Sequence, residues 1–358
     1  MRYLKSAWYV AAFSDEIKAA LFERRICDES IVMYRQEDGS VTALSNRCPH
    51  RFAPLSKGRL LPGGILKCGY HGLEFDGTGA CVRNPHGTGA IPAGARVRSW
   101  PVIERHGMVW LWLGRAGEAE PDVIPDFSFA ADPEYNTQRG VLCNRGNYEL
   151  YIDNLMDLSH VPYLHPGSLG NDEMHGGKRQ FLQDDTTIAC NTLYANVAAS
   201  PFWDAQFGGT GEPVDHWQDI SWRAPAHMLL DVGVTKPGQP KSEGVGILTL
   251  HVITPESNSS THYFWSASRR YAKDDAALDK AIHHVVDTAF TGEDEPMIAS
   301  VEEAMGQETF DELHPVLLAP DAAAMRVRRA LKKLMAAEQE RFAAITEVAA
   351  GSDRIAVA

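Results

Sequence analysis

The sequence predicts an α+β protein in two parts, an antiparallel β domain followed by a larger domain of strands and helices. Three observations carry this. A chain of 358 residues is longer than a single hydrophobic core usually serves. Its first third is a succession of short apolar runs punctuated by Gly, the pattern of a small antiparallel β domain over roughly residues 1–114. From Gly140 the pattern changes to strand signals flanked by helical periodicity, so 115–358 is expected to form the second domain.

The elements follow in order. Ile31 to Tyr34 and Val41 to Leu44 read as strands joined by a hairpin turn at Glu37-Asp38-Gly39-Ser40. Ile65 to Lys67, Leu73 to Phe75, Val97 to Val102 and Met108 to Leu113 complete the unit, with a turn at His106-Gly107. The acidic segment Gly117 to Pro133, with Pro121, Pro125 and Pro133, reads as the linker. Asn147 to Leu164 has helical periodicity and stops at Pro166-Gly167. Strand signals then cover Thr187 to Val197, Ile220 to Trp222, Met228 to Val234, Val245 to Thr254 and Thr261 to Ala267. Helices are expected over Asp274 to Phe290, Pro296 to Met305, and Asp321 to about Val348. There is no internal repeat and no low-complexity segment.

Composition narrows the function classes. With 44% hydrophobic and 23% charged residues the chain is ordinarily globular. A net charge of −13 argues against nucleic acid and against an anionic membrane surface as partners. No uncharged apolar run reaches membrane-spanning length, and the N-terminal one is too short for a signal peptide. Outside the motif described next, Cys27, Cys81, Cys143 and Cys190 show no pairing pattern, so a cytoplasmic location is expected.

Cys48-Pro49-His50 is followed after seventeen residues by Cys68-Gly69-Tyr70-His71. Two thiolates and two imidazoles on Pro- and Gly-rich loops indicate a metal centre. A structural zinc site also takes two Cys and two His, but usually with both Cys first. The alternation instead matches a Rieske [2Fe–2S] centre, with the two Cys on one iron and the two His on the other.

His160 and His165 form a second constellation, preceded by Asn154-Leu155-Met156-Asp157. Five residues of straight helix turn through roughly 500°, leaving two side chains about 140° apart. Sharing a metal therefore requires a break, and Pro162 is the expected cause. Two imidazoles and one distant carboxylate make the 2-His-1-carboxylate set of a non-haem Fe(II) site; two packed core histidines are the competing reading. Glu293, Asp294 and Glu295 are the carboxylate candidates, ahead of a helix expected to start at Pro296. For Glu293 and Glu295 the expected role is to favour that helix dipole.

Together, Cys48-x-His50…Cys68-x-x-His71 and Asn154-x-x-Asp157-x-x-His160-x4-His165 resemble the Rieske non-haem iron oxygenases over nearly the whole chain. Within that family, the run Asp153 to His160 and His262-Tyr263-Phe264-Trp265 are most similar to the oxygenase component of vanillate O-demethylase and its relatives. The resemblance implies a Rieske domain and a helix-grip catalytic domain, assembled as a homotrimer. It implies His160, His165 and Asp294 as ligands of a mononuclear Fe(II), Asp294 being the Asp preceded by an acidic residue. It casts Asp157 as a bridge between the two metal sites, its carboxylate reaching the imidazole of His160, with Asn154 beside it in the catalytic motif. The implied reaction is O-demethylation of a methoxylated, vanillate-like aromatic acid to a phenol and formaldehyde, with O2 as cosubstrate. Electrons would come from NAD(P)H through a separate flavin- or ferredoxin-type reductase. The chain carries no GxGxxG fingerprint of its own; Gly244-Val245-Gly246 lacks the third glycine. Alternatives are a Rieske monooxygenase acting on another small aromatic, such as a sulfonate or alkaloid, and a Rieske electron carrier.

His251 shares a strand face with Ile247, Thr249 and Ile253. The resemblance makes it a candidate hydrogen-bond partner of an aromatic substrate, against the reading of a packed strand histidine. Arg223 is set between a substrate carboxylate and a surface ion pair. Arg326 to Lys333 is expected to be a solvated helix face. Arg47, Arg51, Lys57, Arg59 and Lys67 are expected to form a platform for an acidic electron donor.

Overall fold

The computed structural model describes residues 2–355. The chain divides into two compact units. One comprises Ser6–Asp132 together with Thr254–His262; the other comprises Pro133–Ile253 and the chain from Tyr263 on, with the N-terminal residues up to Lys5.

The first unit is built of short strands: β1 (Trp8–Phe13), β2 (Phe22–Ile26), β3 (Glu29–Arg35), β4 (Val41–Ser45), β5 (Arg59–Leu61), β6 (Ile65–Lys67), β7 (Glu74–Phe75), β8 (Cys81–Arg83), β9 (Val102–Arg105) and β10 (Met108–Trp112). They form three sheets, ordered β1-β10-β9, β2-β3-β4 and β5-β6-β7-β8. The N-terminal apolar run is thus strand β1, buried at every position and paired antiparallel with β10. The strand expected over Val97 to Val102 begins only at Val102, because Val97 and Ser99 make isolated bridging contacts to Gly79 and Leu44 instead of a ladder. Val32, Tyr34, Leu44, Leu55, Leu66 and Phe75 make one apolar cluster, which includes Cys48 and Cys68. The Pro-rich segment contributes only short 3-10 turns at Ala116–Glu118, Pro121–Val123 and Ser128–Ala131.

The second unit is organised on a seven-stranded sheet. Its strands are β11 (Asn136–Arg145), β12 (Lys178–Gln183), β13 (Thr187–Val197), β14 (Val214–Arg223), β15 (His227–Thr235), β16 (Val245–Ser257) and β17 (Ser260–Arg269). They lie in the order β11-β17-β16-β15-β14-β13-β12, antiparallel from β12 through β16. The edge strands β11 and β12 are largely exposed or half-buried, so neither shows the apolar alternation that marks the inner strands. The helices are α1 (Tyr148–Met156), α2 (Val161–Leu164), α3 (Pro201–Gln206), α4 (Ala276–Asp287), α5 (Glu295–Met305) and α6 (Ala322–Ile355). Asn147 caps α1, its side chain accepting from the Glu149 N–H.

The basic run of α6 is not wholly a solvated face. Arg328 reaches α1, donating to both carboxylate oxygens of Asp153 at 2.9 and 2.8 Å and to Glu149 at 3.0 Å. Burial raises the Asp153 carboxyl to about 6 even against this guanidinium. The ion pair fixes α1, and α1 carries Asn154. Among the described residues no helix is long and apolar enough to cross a membrane.

Candidate active site

The two Cys-His loops are near copies of each other in backbone geometry. In the first, Cys48 N donates to Ala53 O and Phe52 N to Cys48 O; in the second, Cys68 N donates to Leu73 O and Gly72 N to Cys68 O. Each turn closes through a left-handed residue, Phe52 at φ 61° and Gly72 at φ 75°. The second loop runs close against the main chain of the Leu55–Lys57 turn: a Cβ at Gly69 would lie 2.6 Å from the Lys57 carbonyl. Cys48 and Cys68 are both buried. Burial pushes the Cys48 thiol up to about 11. The His50 and His71 ring centroids are 4.5 Å apart, with His50 exposed and His71 half-buried. Two adjoining thiols below two adjoining imidazoles fit the two-iron cluster expected from the motif. Of the nearby cations, Arg47, Arg51, Lys57 and Arg59 are exposed, while Lys67 is tied to Glu74 at 3.0 Å.

The second constellation comes together differently from the sequence expectation. The helix of Asn147 to Leu164 breaks at Asp157 (φ −128°, ψ 89°), before both histidines. Leu158–His160 is a 3-10 turn, and Pro162 sits in the first turn of α2, where its missing N–H costs nothing. His160 and His165 cap the two ends of α2, and His165 leaves helical geometry at φ −114°, ψ 43°. One helical turn with a histidine at each end replaces the predicted break between them.

Both rings turn their Nε2 toward one oxygen. Asp294 Oδ1 lies 3.6 Å from His160 Nε2 and 3.4 Å from His165 Nε2, and the three groups offer donor atoms all within 4.8 Å of one another. The far nitrogens are both occupied. His160 Nδ1 donates to the Asp157 carbonyl at 2.8 Å, and His165 Nδ1 donates to Glu293 Oε2 at 2.6 Å. Each Nε2 is thereby left with a lone pair for a metal. Asn154 Nδ2 donates to Asp294 Oδ1 at 3.1 Å. Burial lowers the pKa of His160 more than Asp294 raises it. For His165 burial acts in the same sense, but the pull of Asp294 and Glu293 outweighs it and raises the pKa. The set fits a 2-His-1-carboxylate iron site.

Two residue expectations are corrected here. The Asp157 group that meets His160 is its main-chain carbonyl. Its carboxylate accepts from the Ser159 N–H at 3.0 Å, because the chain turns out of the helix at this residue. Glu293 and Glu295 do not sit at a helix start. The helix runs without a break from α4 through a π-helical segment, Thr288–Asp294, into α5. Glu293 faces His165 and Glu295 faces Arg145 at 3.1 Å. The wide turns carry Asp294 to the histidines; such insertions often mark functional positions.

An apolar cavity of about 110 Å³ opens beside this centre. That is somewhat below the roughly 150 Å³ of an engineered apolar cavity that accepts benzene, so the space is on the scale of one small ring. Leu155, Leu158, Leu230, Val232, Val286 and Phe290 are among its walls. His251 lines it, buried, with Nδ1 2.7 Å from the Tyr263 hydroxyl. Tyr263 is itself fully buried, which raises its pKa well above 10.0, so its hydroxyl keeps its proton beside the imidazole. The His251 Nε2 has no partner among the described residues. Gln218 Oε1, also in the lining, is likewise without a partner. Sequence reasoning missed Gln218 and Tyr263, whose places depend on strands β14 and β17 lying in the same sheet as β16. Arg223 lies outside this lining, exposed and donating to Thr187.

Comparisons with known proteins agree with this reading of the fold. Residues 7–101 match the Rieske [2Fe–2S] domain, and residues 145–337 match the vanillate O-demethylase oxygenase C-terminal domain. The chain belongs to the Rieske non-haem iron oxygenases, as the oxygenase component of a multicomponent monooxygenase. Its cofactors are a [2Fe–2S] Rieske cluster and a mononuclear non-haem iron. Dicamba O-demethylase, oxygenase component, of Stenotrophomonas maltophilia is 39% identical over 93% of this chain and 98% of its own. The vanillate O-demethylase oxygenase subunit of a Pseudomonas species is 35% identical over 94% and 96%. The crystal structure of dicamba monooxygenase bound to 3,6-dichlorosalicylic acid superposes with a TM-score of 0.90, at 38% identity over 95% of this chain and 99% of that one.

Proposed function

We propose that this oxygenase component removes the methyl group of a small methoxylated aromatic, the reaction class that the names of its dicamba and vanillate relatives imply. The observation that supports it is the convergence of His160, His165 and Asp294 on the wall of a ring-sized apolar cavity. When bound, the cluster supplies single electrons and the iron, with O2, oxidises a substrate C–H bond. Hydroxylation of a methoxy carbon leaves a hemiacetal, which collapses to a phenol and formaldehyde.

The protein groups divide the remaining work. His160, His165 and Asp294 hold the iron; the Asp157 carbonyl and Glu293 fix the two ring tautomers; Asn154 steadies Asp294. Cys48, His50, Cys68 and His71 hold the cluster. The apolar walls exclude water from the reacting carbon, and the unpartnered His251 Nε2 is available to a polar atom of the substrate. The Asp157 carboxylate serves the electron path between the two metal sites, in a homotrimeric assembly supplied by a separate reductase. Arg47, Arg51, Lys57 and Arg59 are the cations available to an acidic donor.

The test is formaldehyde release from a panel of methoxylated aromatics, using a surrogate reductase and NADH. Release in proportion to NADH and O2 consumed supports demethylation. A ring-hydroxylated product that keeps its methyl group shows plain hydroxylation instead. Reduction of the cluster with no product from any aromatic points to an electron carrier.

A further inference from the structure

One wall of the cavity is a face of the seven-stranded sheet, and its residues fall in rows. Gln218 pairs with Val232 and Val232 with Ile247; two residues along, Leu230 pairs with Thr249; two further, Met228 pairs with His251. All of these but Met228 line the cavity. At about 4.8 Å per strand and 3.3 Å per residue, Gln218 and His251 leave the sheet roughly 16 Å apart, at opposite corners of this wall. Gln218 is buried, and its Oε1 has no hydrogen-bond partner among the described residues. Thr192, opposite it on β13, bonds the Cys190 sulfur at 3.8 Å, and Val232, opposite it on β15, is apolar. A buried amide oxygen left unpaired is costly, and a partner that arrives with the ligand accounts for it.

We propose that Gln218 is a specificity-determining residue of this pocket and that it recognises a phenolic hydroxyl on the methoxylated ring. An amide end presents one accepting and one donating atom, and a hydroxyl matches either. A hydroxyl also adds a single heavy atom, which suits a cavity of about 110 Å³ that must hold the ring and its methoxy group as well. Gln218 carries no charge, so an acidic substituent takes its partner elsewhere, on the side where His160, His165 and Asp294 hold the iron. A hydroxyl held at the Gln218 corner limits rotation of the ring in its plane, and so helps decide which substituent faces that iron. The proposal rests on the demethylation reading for the methoxy group; the hydroxyl rests on the sheet wall alone.

The test is isothermal titration calorimetry on the iron-replete holoenzyme without reductant, which reads binding without turnover. The ligands are methoxybenzenes carrying hydroxyl, fluorine or hydrogen at the ortho, meta or para position, each with and without a ring carboxylate. The hydroxyl ligand of at least one isomer should bind about fivefold or more tightly than its fluoro match. In Gln218→Met, which keeps an unbranched side chain, that ratio should fall to within about twofold while cluster absorbance and iron content stay at parental values. Gln218→Leu serves as the second variant should the Met variant lose either metal. No hydroxyl preference in any isomer overturns the proposal, as does failure of all the ligands to bind. A preference that survives the substitution also overturns it, and moves the recognition to Thr249 or His251. Formaldehyde release under turnover separates this idea from the demethylation reading. A Gln218-dependent hydroxyl preference with no formaldehyde from any ligand would refute demethylation and leave the role of Gln218 standing. Formaldehyde from these ligands, with the hydroxyl and fluoro forms bound equally, would do the reverse.

Discussion

Glu293→Ala removes one hydrogen bond and leaves every candidate iron ligand in place. The bond joins a half-exposed carboxylate to the Nδ1–H of a buried His165 at 2.6 Å. A hydrogen bond to a charged group contributes about 1.5–3 kcal/mol. At about 1.4 kcal/mol per factor of ten, that is roughly 10- to 150-fold. Loss of the carboxylate behind a metal-bound histidine costs about 10–100-fold in affinity or activity, so the two estimates agree. The physical cause is tautomeric: without Glu293 the ring proton is free to move to Nε2, where it blocks the metal. The assay is chelator competition for the mononuclear iron, with the visible absorption of the cluster as internal standard. Iron affinity and kcat should fall together while the cluster stays. Glu293→Gln keeps an accepting oxygen and should lose less than Ala. Iron held within about twofold of the parent by Glu293→Ala would refute the reasoning.

Further outcomes follow from the same geometry. Asp294→Ala should lose the mononuclear iron and turnover with the cluster spectrum intact, measured by iron content against absorbance; normal iron content would show that the ligand was misassigned. Cys68→Ser should abolish the cluster's reduced-state paramagnetic resonance signal without removing the mononuclear iron. His251→Ala should lower kcat/KM about ten- to a hundredfold on the best substrate, and less than about twofold would make His251 a packing residue. Asp157→Asn should retain both metals yet nearly abolish turnover, because the amide keeps the Ser159 cap and the main-chain carbonyl but loses the charge. Turnover at the parental rate would reduce Asp157 to a local cap.

How legible the site was depended on how far apart its parts lie in the chain. Cys48, His50, Cys68 and His71 were readable because ligand type and spacing are both local. His160 and His165 were readable as a pair, but the helix break was placed at Pro162 when it falls at Asp157. A Pro near a helix start is compatible with helix, and only the fold shows which turn it occupies. Asp294 came from family resemblance, since the residues alone left three acidic candidates. The role of Glu293 was beyond reach because its partner lies 128 positions away. Strands β11 and β12 were missed because edge strands bury too little to alternate. Arg328 was read as solvated because a basic run on a helix carries no sign of acidic residues on α1.

The π-helical segment makes the number of residues ahead of Asp294 critical to this centre. An α-helix advances about 100° and 1.5 Å per residue, so dropping one residue from Thr288–Asp294 would swing Asp294 out of line with both histidines relative to α4. Residue identity is much freer at two of its positions. Thr291 and Gly292 are exposed, and a Cβ at Gly292 would meet nothing within 4 Å. Substitution is open at Thr291 and Gly292, whereas insertion or deletion there is closed, even though neither position touches metal or substrate.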